Sequence, residues 1–328
     1  MTDHAYNINI DTDTSTHAEP LASWQDGPTK RAILKFVQQV TDKSSSTYVP
    51  VAERIAAFDN DGTLWCEKPS YTQEIFIIKY FHEQAERHPE LREVQPFKAF
   101  LENDRAYFQA LSIQEVGKLV LQAVADLPQE EYVQKVRTFF EETLHPHYQR
   151  PFTEMAYAPM MELIGYLRQH EFQVYLVTGG ETDFVREIAE KMYGIPRSHV
   201  IGSAVMVKLE TYHDQPMLVR QKSMLEPFNE GTGKVVNIHV HIGQQPILAV
   251  GNSNGDLDML LYTEHQSRPH LPLLIHHDDS EREFAYERGA ERALQAATLH
   301  DWNIISMKND FKHIFSFAQI DATYSVHQ

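Results

Sequence analysis

The sequence is poor in cysteine, in basic side chains and in long apolar runs. Its one cysteine, Cys66, excludes an internal disulfide framework and suits a reducing compartment. Lys and Arg number 29 against 46 Asp and Glu, which gives a net charge of -17. A surface this negative repels nucleic acid and anionic lipid. No apolar run approaches the ~20 residues of a membrane-spanning helix. We therefore expect neither nucleic acid nor a membrane as a partner.

The N-terminal segment 1–20 is polar and rich in Asp and Thr. It lacks the basic start and the apolar middle of a secretory signal, which favours a cytoplasmic location unless a signal has been removed. Segment 1–50 is expected to form a tail and a leader ahead of the folded core. The chain of 328 residues is long enough for one large or two ordinary domains.

Short apolar runs alternate with helical patterns through most of the chain, which predicts an α/β fold with a doubly wound, mostly parallel sheet. Polar clusters follow three of these runs: residues 59–63, 178–180 and 251–256. Because ligands bind outside the carboxyl ends of parallel strands, the clusters should converge on one edge. Two more strands are predicted at Leu271–Ile275 and Asn303–Met307.

Between residues 71 and 145 apolar residues recur at helical spacing, with no convincing strand. This segment is predicted to be a helical cap inserted into a core made of residues 51–70 and 146–328. Further on, Val200–Leu209 and Met217–Arg220 are expected to pair as a hairpin across His213–Gln215.

The run Phe58–Thr63 contains two carboxylates, Asp59 and Asp61, separated by one residue at a strand end. One carboxylate can attack phosphorus and form an aspartyl-phosphate. The other can protonate the leaving alkoxide and then activate water. Gly62 allows a sharp turn beside the phosphate. Alone, the pattern D-x-D-G is equally typical of a turn with solvated carboxylates.

Other clusters offer complementary groups. Thr178 has a hydroxyl, and Gly179 and Gly180 could present amides to phosphate oxygens at a helix start. Lys234, expected in a Gly-rich loop before a strand, could neutralise a transferring phosphoryl group. Asn252 and Asp256 are oxygen ligands suited to a hard cation. Each of these sequence signals is weak alone, and Lys234 taken by itself is more typical of a solvated loop lysine.

In this order, D-x-D-G-T after an apolar strand, Thr-Gly-Gly, a later Lys and G-N-x-x-x-D resemble the four motifs of the haloacid dehalogenase superfamily. The resemblance covers about Val51 to Met307 and is nearest the phosphoserine phosphatase-like branch, whose cap follows motif one. It implies a Rossmann-like core, the cofactor Mg²⁺, and a small phosphorylated metabolite as substrate.

By position, the resemblance implies that Asp59 is the nucleophile and Asp61 the general acid/base. Thr178, Gly179 and Lys234 would hold the phosphoryl oxygens. Asp59, the Asp61 carbonyl and the last cluster would bind the metal. The superfamily usually has Asp where this chain has Asn252, so the direct metal ligand is open between Asn252 and Asp256.

Several other residues have two possible roles. Trp65, Glu67 and Tyr71 lie where core and cap should meet, and are candidates for substrate contacts or for hinge packing. His239 and His241 have the spacing of a strand and are interpreted as partly exposed strand residues rather than as a metal pair.

His276–Asp279 follows a predicted strand and could reach the active edge. Cys66 is interpreted as a packed thiol.

These inferences point to magnesium-dependent hydrolysis of a small phosphate monoester. The second acid, Asp61, favours phosphate chemistry over dehalogenation, which does not need it. A phosphotransferase or phosphomutase on the same scaffold is the nearest alternative, and a binding or regulatory protein is an alternative of another class.

Overall fold

The computed structural model describes residues 19–104, 106, 107, 110, 111, 115, 121 and 124–318. The strands are β1 Ile55–Phe58, β2 Gln173–Glu181, β3 Val200–Ser203, β4 Val205–Tyr212, β5 Gln215–Met224, β6 Leu248–Gly251, β7 Leu271–His276 and β8 Asn303–Ser306. Six of them form one parallel sheet in the order β3-β2-β1-β6-β7-β8. Residues 1–18 of the expected N-terminal tail lie outside the described residues.

The described α-helices are α1 Pro28–Thr41, α2 Thr72–Arg87, α3 Phe97–Glu102, α4 Gln129–Glu142, α5 Ala158–Gln169, α6 Thr182–Ile188, α7 Thr232–Ile242, α8 Leu257–Glu264, α9 Glu291–Leu299 and α10 Met307–Asp310. A π-helical turn over Ala189–Tyr193 continues α6. Among the residues described, no helix is long and apolar enough to cross a bilayer.

Helices cover both faces of the sheet because successive strand side chains point to opposite sides. In β1, Phe58 packs into a cluster with Val37 of α1 and Leu163 of α5. Its neighbour Ala57 packs on the other face with Ile238 of α7. The predicted doubly wound, parallel α/β fold is thus confirmed. Helix α1 belongs to this core, with Val37 fully buried.

Two inserted segments lie outside the main sheet. Helices α2, α3 and α4 lie between β1 and β2, in the segment predicted to be helical. Strands β4 and β5 form a separate antiparallel hairpin between β3 and α7.

The hairpin prediction was wrong at its start, because Val200–Ser203 is an edge strand of the main sheet, parallel to β2. Pairing within the hairpin begins at Val205 and ends with Tyr212 opposite Gln215. Its turn residues His213 and Asp214 both have positive φ, as a two-residue type I′ turn requires.

The segment around Lys234 also differs from expectation. It was predicted to be a loop before a strand, but Lys234 lies in the first turn of α7. His239 and His241 are exposed in the same helix, so their strand spacing has no structural counterpart. Burial explains the helix: Lys234 and Ile238, four residues apart, face the core, whereas Val236 and Val240 are exposed.

Candidate active site

The three polar clusters lie at the carboxyl ends of adjacent strands. β1 ends at Phe58 and pairs with β2 on one side and with β6 on the other. The backbone amide of Asp59 donates to the carbonyl of Val250 at 2.9 Å, so the first cluster is bonded directly to the strand that precedes the last one. The predicted convergence at one sheet edge is therefore present in the structure.

Lys234 lies at the centre of this edge and is 1% exposed. Its ammonium group is 2.6 Å from Asp59 Oδ1 and 2.6 Å from Asp256 Oδ1. It also donates to the carbonyl of Val177, at 2.9 Å. One cation thus links the ends of β1, β2 and β6, which a solvated loop lysine would not do.

The charges of this group are unbalanced. Asp59 and Asp256 are both buried, and Lys234 supplies one positive charge between them. Burial and the charge of Asp256 raise the pKa of Asp59 well above its usual value, although Lys234 opposes them. The two carboxylates in turn raise the pKa of Lys234 against the effect of burial. The lysine is therefore charged, and the site is short of positive charge.

Asp61 has a different environment. Its Oδ1 accepts a hydrogen bond from the indole Nε1 of Trp65 at 2.9 Å. Burial, followed by the charge of Glu67, raises the pKa of Asp61 to about 6. A carboxyl group with this pKa can donate a proton and take one up near neutral pH. Two neighbouring carboxyls thus have environments suited to different tasks.

Gly62 makes the close approach between the first and last clusters possible. Its φ is +73°, a left-handed conformation that favours glycine. A Cβ atom there would lie 2.0 Å from Nδ2 of Asn252. Thr63 lies on the same side, and its hydroxyl donates to Asn252 Oδ1 at 3.2 Å. Residue 252 is therefore held against the loop that carries both catalytic candidates.

Thr178 is fully buried, and its hydroxyl oxygen accepts a hydrogen bond from the Gly180 amide at 3.0 Å. Strand β2 continues through Thr178 and Gly179 to Glu181, so this cluster is the end of a strand rather than the expected helix start. Asn229, which sequence reasoning missed, fixes the strand end by donating to the Thr178 carbonyl at 2.8 Å.

Asp256 organises the loop after β6. Its Oδ2 accepts hydrogen bonds from the amides of Asn252 and Ser253, at 3.0 and 2.9 Å. The Ser253 hydroxyl adds a third bond, at 3.0 Å. Since Oδ1 binds Lys234, both oxygens of Asp256 already have protein partners.

The residues present fit a hard divalent cation by their chemistry. In the described part of the chain, no group of three or more His, Cys, Asp or Glu side chains forms a metal site. The candidate donors here are of another kind: the Asp59 carboxylate, the Asp61 backbone carbonyl and the Asn252 amide oxygen. All are oxygens, which Mg²⁺ prefers. The shortage of positive charge beside Asp59 and Asp256 is what such an ion would offset.

The three candidate substrate contacts are placed differently. Trp65 is 1% exposed, and its side chain holds Asp61 through the indole hydrogen bond. Glu67 and Tyr71 line a cavity that also reaches Asp59 and Asp61. Cys66 is buried, and burial raises the pKa of its thiol, as expected of a packed cysteine.

A buried histidine is hydrogen-bonded to the loop after β1, which carries Asp59 and Asp61. The Nε2–H group of His277 donates to the Gly62 carbonyl at 2.8 Å, and its Nδ1 is 3.3 Å from Glu283 Oε2. Glu283 also accepts hydrogen bonds from Cys66 and Tyr157, at 3.0 and 3.1 Å. His277 belongs to the segment that the sequence placed near this edge, whereas nothing in the local sequence singled out Glu283.

Residues 56–261 match the haloacid dehalogenase-like hydrolase family. The chain belongs to this family. The match spans motif one, the helical insertion, the hairpin and the loop after β6, and so includes every candidate catalytic residue described above. No curated protein sequence matches this chain.

Two solved structures are similar to this one. A protein of unknown function from Bordetella pertussis Tohama I has a TM-score of 0.51 and 16% identity, with 77% of this chain and 98% of that chain covered. A conserved, functionally unknown protein from Anaerococcus prevotii DSM 20548 has a TM-score of 0.53 and 16% identity, with coverages of 84% and 90%. At this identity the likeness shows the fold.

Proposed function

We propose that this family member is a magnesium-dependent phosphatase that hydrolyses a small phosphate monoester through an aspartyl-phosphate. The observation that carries the proposal is the position of Lys234, 2.6 Å from Asp59, at an edge where Asp61 has a pKa of about 6. A nucleophile, a phosphate-binding cation and an acid are needed for this chemistry, and each has a candidate here.

In the first step, a carboxylate oxygen of Asp59 attacks phosphorus, and the bond from phosphorus to the ester oxygen breaks. Asp61 donates its proton to the departing oxygen, so an alcohol leaves. In the second step, Asp61 takes a proton from water as the water oxygen attacks phosphorus. Inorganic phosphate leaves, and Asp59 regains its carboxylate.

The remaining residues hold the phosphoryl group. Lys234 offsets part of its charge, and the Thr178 hydroxyl and the Gly179 amide are proposed as donors to its oxygens. Mg²⁺, held by Asp59, the Asp61 carbonyl and Asn252, would supply further charge neutralisation when bound. Asp256 would act on the metal by orienting Asn252, since both of its oxygens have protein partners.

We propose in addition that residues 71–145 form the cap over a core of residues 51–70 and 146–328, against which helix α1 is also packed. Support comes from the cavity beside Asp59 and Asp61, because Ile77 of α2, Phe100 of α3 and Tyr132 of α4 line it. A cap in this position would exclude water that Asp61 does not activate.

The test compares Asp59→Asn and Asp61→Asn with the unmodified chain. Asp59→Asn should abolish turnover with the fold intact, because an amide is not a useful nucleophile toward phosphorus. Asp61→Asn should slow alkyl phosphate hydrolysis by ~100-fold or more, and aryl phosphate hydrolysis by less. Turnover by folded Asp59→Asn would refute the mechanism. Phosphate transfer to an added alcohol would show a phosphotransferase instead.

A further inference from the structure

We propose that the natural leaving group is an uncharged, apolar alcohol, alkyl or aryl, bound in the cavity beside Asp59 and Asp61. This inference rests on the proposed function, because the catalytic residues fix the phosphate end of the substrate. It goes further by assigning the chemical class of the rest of the molecule.

The cavity is larger than a minimal phosphate ester requires. Its volume is about 530 Å³, and Asp59 and Asp61 form part of its wall. Sites that enclose drug-sized ligands span roughly 300–1,000 Å³, so this one has room for a leaving group of many carbon atoms. A substrate with only two or three carbons would leave most of the space to water.

Hydrocarbon side chains make up much of the cavity wall, and they come from both the helical insertion and the hairpin. They include Ile77, Ile78, Phe100, Val205, Met224 and Phe228. The first three lie on α2 and α3, and the next two lie on the hairpin. Apolar surface that a substrate removes from water stabilises the complex in proportion to its area.

The charges in the cavity disfavour a second anionic group on the substrate. Arg220 is the one cationic side chain among the described residues that line the cavity. It is 1% exposed, lies 3.2 Å from Glu181 and 3.8 Å from Asp183, and sits 3.6 Å from the Tyr132 ring centroid. Two carboxylates therefore already neutralise it. A carboxylate or second phosphate on the leaving group would find no free cation here.

The carboxylates do not make the cavity an amine site either. Glu181 is paired with Arg220, and Glu67 with Lys68 at 3.2 Å. Glu74 and Glu230 are exposed residues, but burial of their carboxyl groups raises the pKa of each, which disfavours the anionic form. Apart from uncharged polar side chains such as Gln73 and Asn103, the hydrocarbon side chains of the wall are left for recognition, and they favour an uncharged apolar group.

The test uses a series of n-alkyl phosphates from ethyl to octyl. The leaving-group chemistry is nearly constant along this series, so differences report binding of the chain. Each methylene that reaches the wall should raise kcat/KM about four-fold until the cavity is filled. Phosphoserine, choline phosphate and a sugar phosphate serve as polar competitors. The inhibition constants of the matching n-alkylphosphonates measure binding without hydrolysis.

Two variants locate the effect. Met224→Gln and Ile78→Gln place an amide in the wall and should each lower kcat/KM for octyl phosphate about ten-fold more than for ethyl phosphate. Leu218→Gln is the matched control, since Leu218 is on β5 like Met224 but is 45% exposed and does not line the cavity. It should leave the whole series unchanged.

Failure of this inference is distinguishable from failure of the proposed function. Equal hydrolysis of ethyl and octyl phosphate, or preference for phosphoserine, choline phosphate or the sugar phosphate, overturns the apolar leaving group and leaves the phosphatase intact. If no ester is hydrolysed while phosphonate affinity rises with chain length, the apolar site stands and the phosphatase fails. No hydrolysis and no dependence on chain length overturns both.

Discussion

The ammonium group of Lys234 lies 2.6 Å from a carboxylate oxygen of Asp59, and both side chains are buried. Lys234 contacts Asp256 at the same distance, so removing it would leave two carboxylates without their shared partner. A buried charge that loses its partner is strongly destabilising. The candidate phosphate-binding residue is thus also a large contributor to the stability of this edge.

We expect Lys234→Met to lower the free energy of unfolding by about 3–5 kcal/mol at neutral pH, measured by chemical denaturation. The loss should shrink as pH falls. The folded-state pKa of Asp59 is already raised above its usual value, and the variant removes the lysine that opposed this. The folded protein then binds protons more readily than the unfolded chain, so acid favours folding.

Lys30→Met is the matched control for that experiment. Lys30 is 3% exposed, but its partners Glu19 and Asp26 are themselves exposed and would be solvated once it is gone. We expect a smaller loss of stability, which shrinks only below the ordinary pKa of a carboxyl group, because Lys30 lowers the pKa of Asp26 rather than opposing a raised one. Equal losses and equal pH dependence in the two variants would show that the buried pair at Asp59 and Asp256 has no special role.

Glu67→Gln should change the pH dependence of the first chemical step. Asp61 must be protonated to act as the acid, so formation of the aspartyl-phosphate from an alkyl phosphate should decline as pH rises through about 6. The charge of Glu67 raises the pKa of Asp61. Removing that charge lowers the pKa, and the decline should move to lower pH in single-turnover experiments.

Glu74→Gln provides the comparison for Glu67, because Glu74 also lines the cavity but is not among the groups that chiefly set the pKa of Asp61. Its profile should stay close to that of the unmodified chain. A Glu67→Gln profile that does not move, or that moves to higher pH, would count against Asp61 as the acid.

His277 is expected to act as a positioning residue for the loop after β1. His277→Ala removes the donor to the Gly62 carbonyl and should lower the free energy of unfolding by roughly 1–3 kcal/mol. The loop would also lose its exact position, so kcat should fall with little change in KM.

His277→Gln retains an amide donor and should recover part of both losses. A purely structural role predicts recovery of stability with kcat unaffected in either variant. The kcat of His277→Ala, measured where the protein is fully folded, separates these outcomes.

The metal prediction concerns residues 252 and 256. Asn252→Asp adds a negative charge where Asn252 lies against Gly62, and should tighten Mg²⁺ binding in calorimetric titrations. Asp256→Ala removes the hydrogen-bond acceptor of the loop amides and of Lys234. The Mg²⁺ concentration needed for half-maximal activity should then rise ~10–100-fold, as it does when the residue that orients a metal ligand is lost. Unaltered magnesium dependence in Asp256→Ala would mean that the loop after β6 is not part of the metal site.

The sequence predicted the sheet edge well, because its signals are local. An apolar strand ending abruptly in polar residues is visible at Phe58 and again before Gly251, and parallel strands bring such ends together. Contacts between distant segments had no such signal. Glu283, for example, meets Cys66 across 217 positions in the chain, and neither residue type predicts the other.

Periodicity misled the prediction in one place. From Val236 to Ile242, apolar residues alternate with polar ones, a pattern typical of a strand. The chain forms α7 there instead, with Ile238 buried and Val240 66% exposed. The short segment fits a strand pattern and a helix pattern almost equally, and tertiary packing selects the helix. Lys234 therefore lies in the first turn of α7 and not in the predicted loop.

Arg220 joins parts of the chain that the sequence keeps far apart. It extends from the hairpin to Glu181 at the end of β2 and to Tyr132 on α4. Its backbone exchanges hydrogen bonds with Asp126 and Leu127, at 3.0 Å each. The hairpin and the helical insertion are therefore fastened to each other as well as to the sheet. We therefore expect that any movement of the helical insertion relative to the sheet carries the hairpin with it.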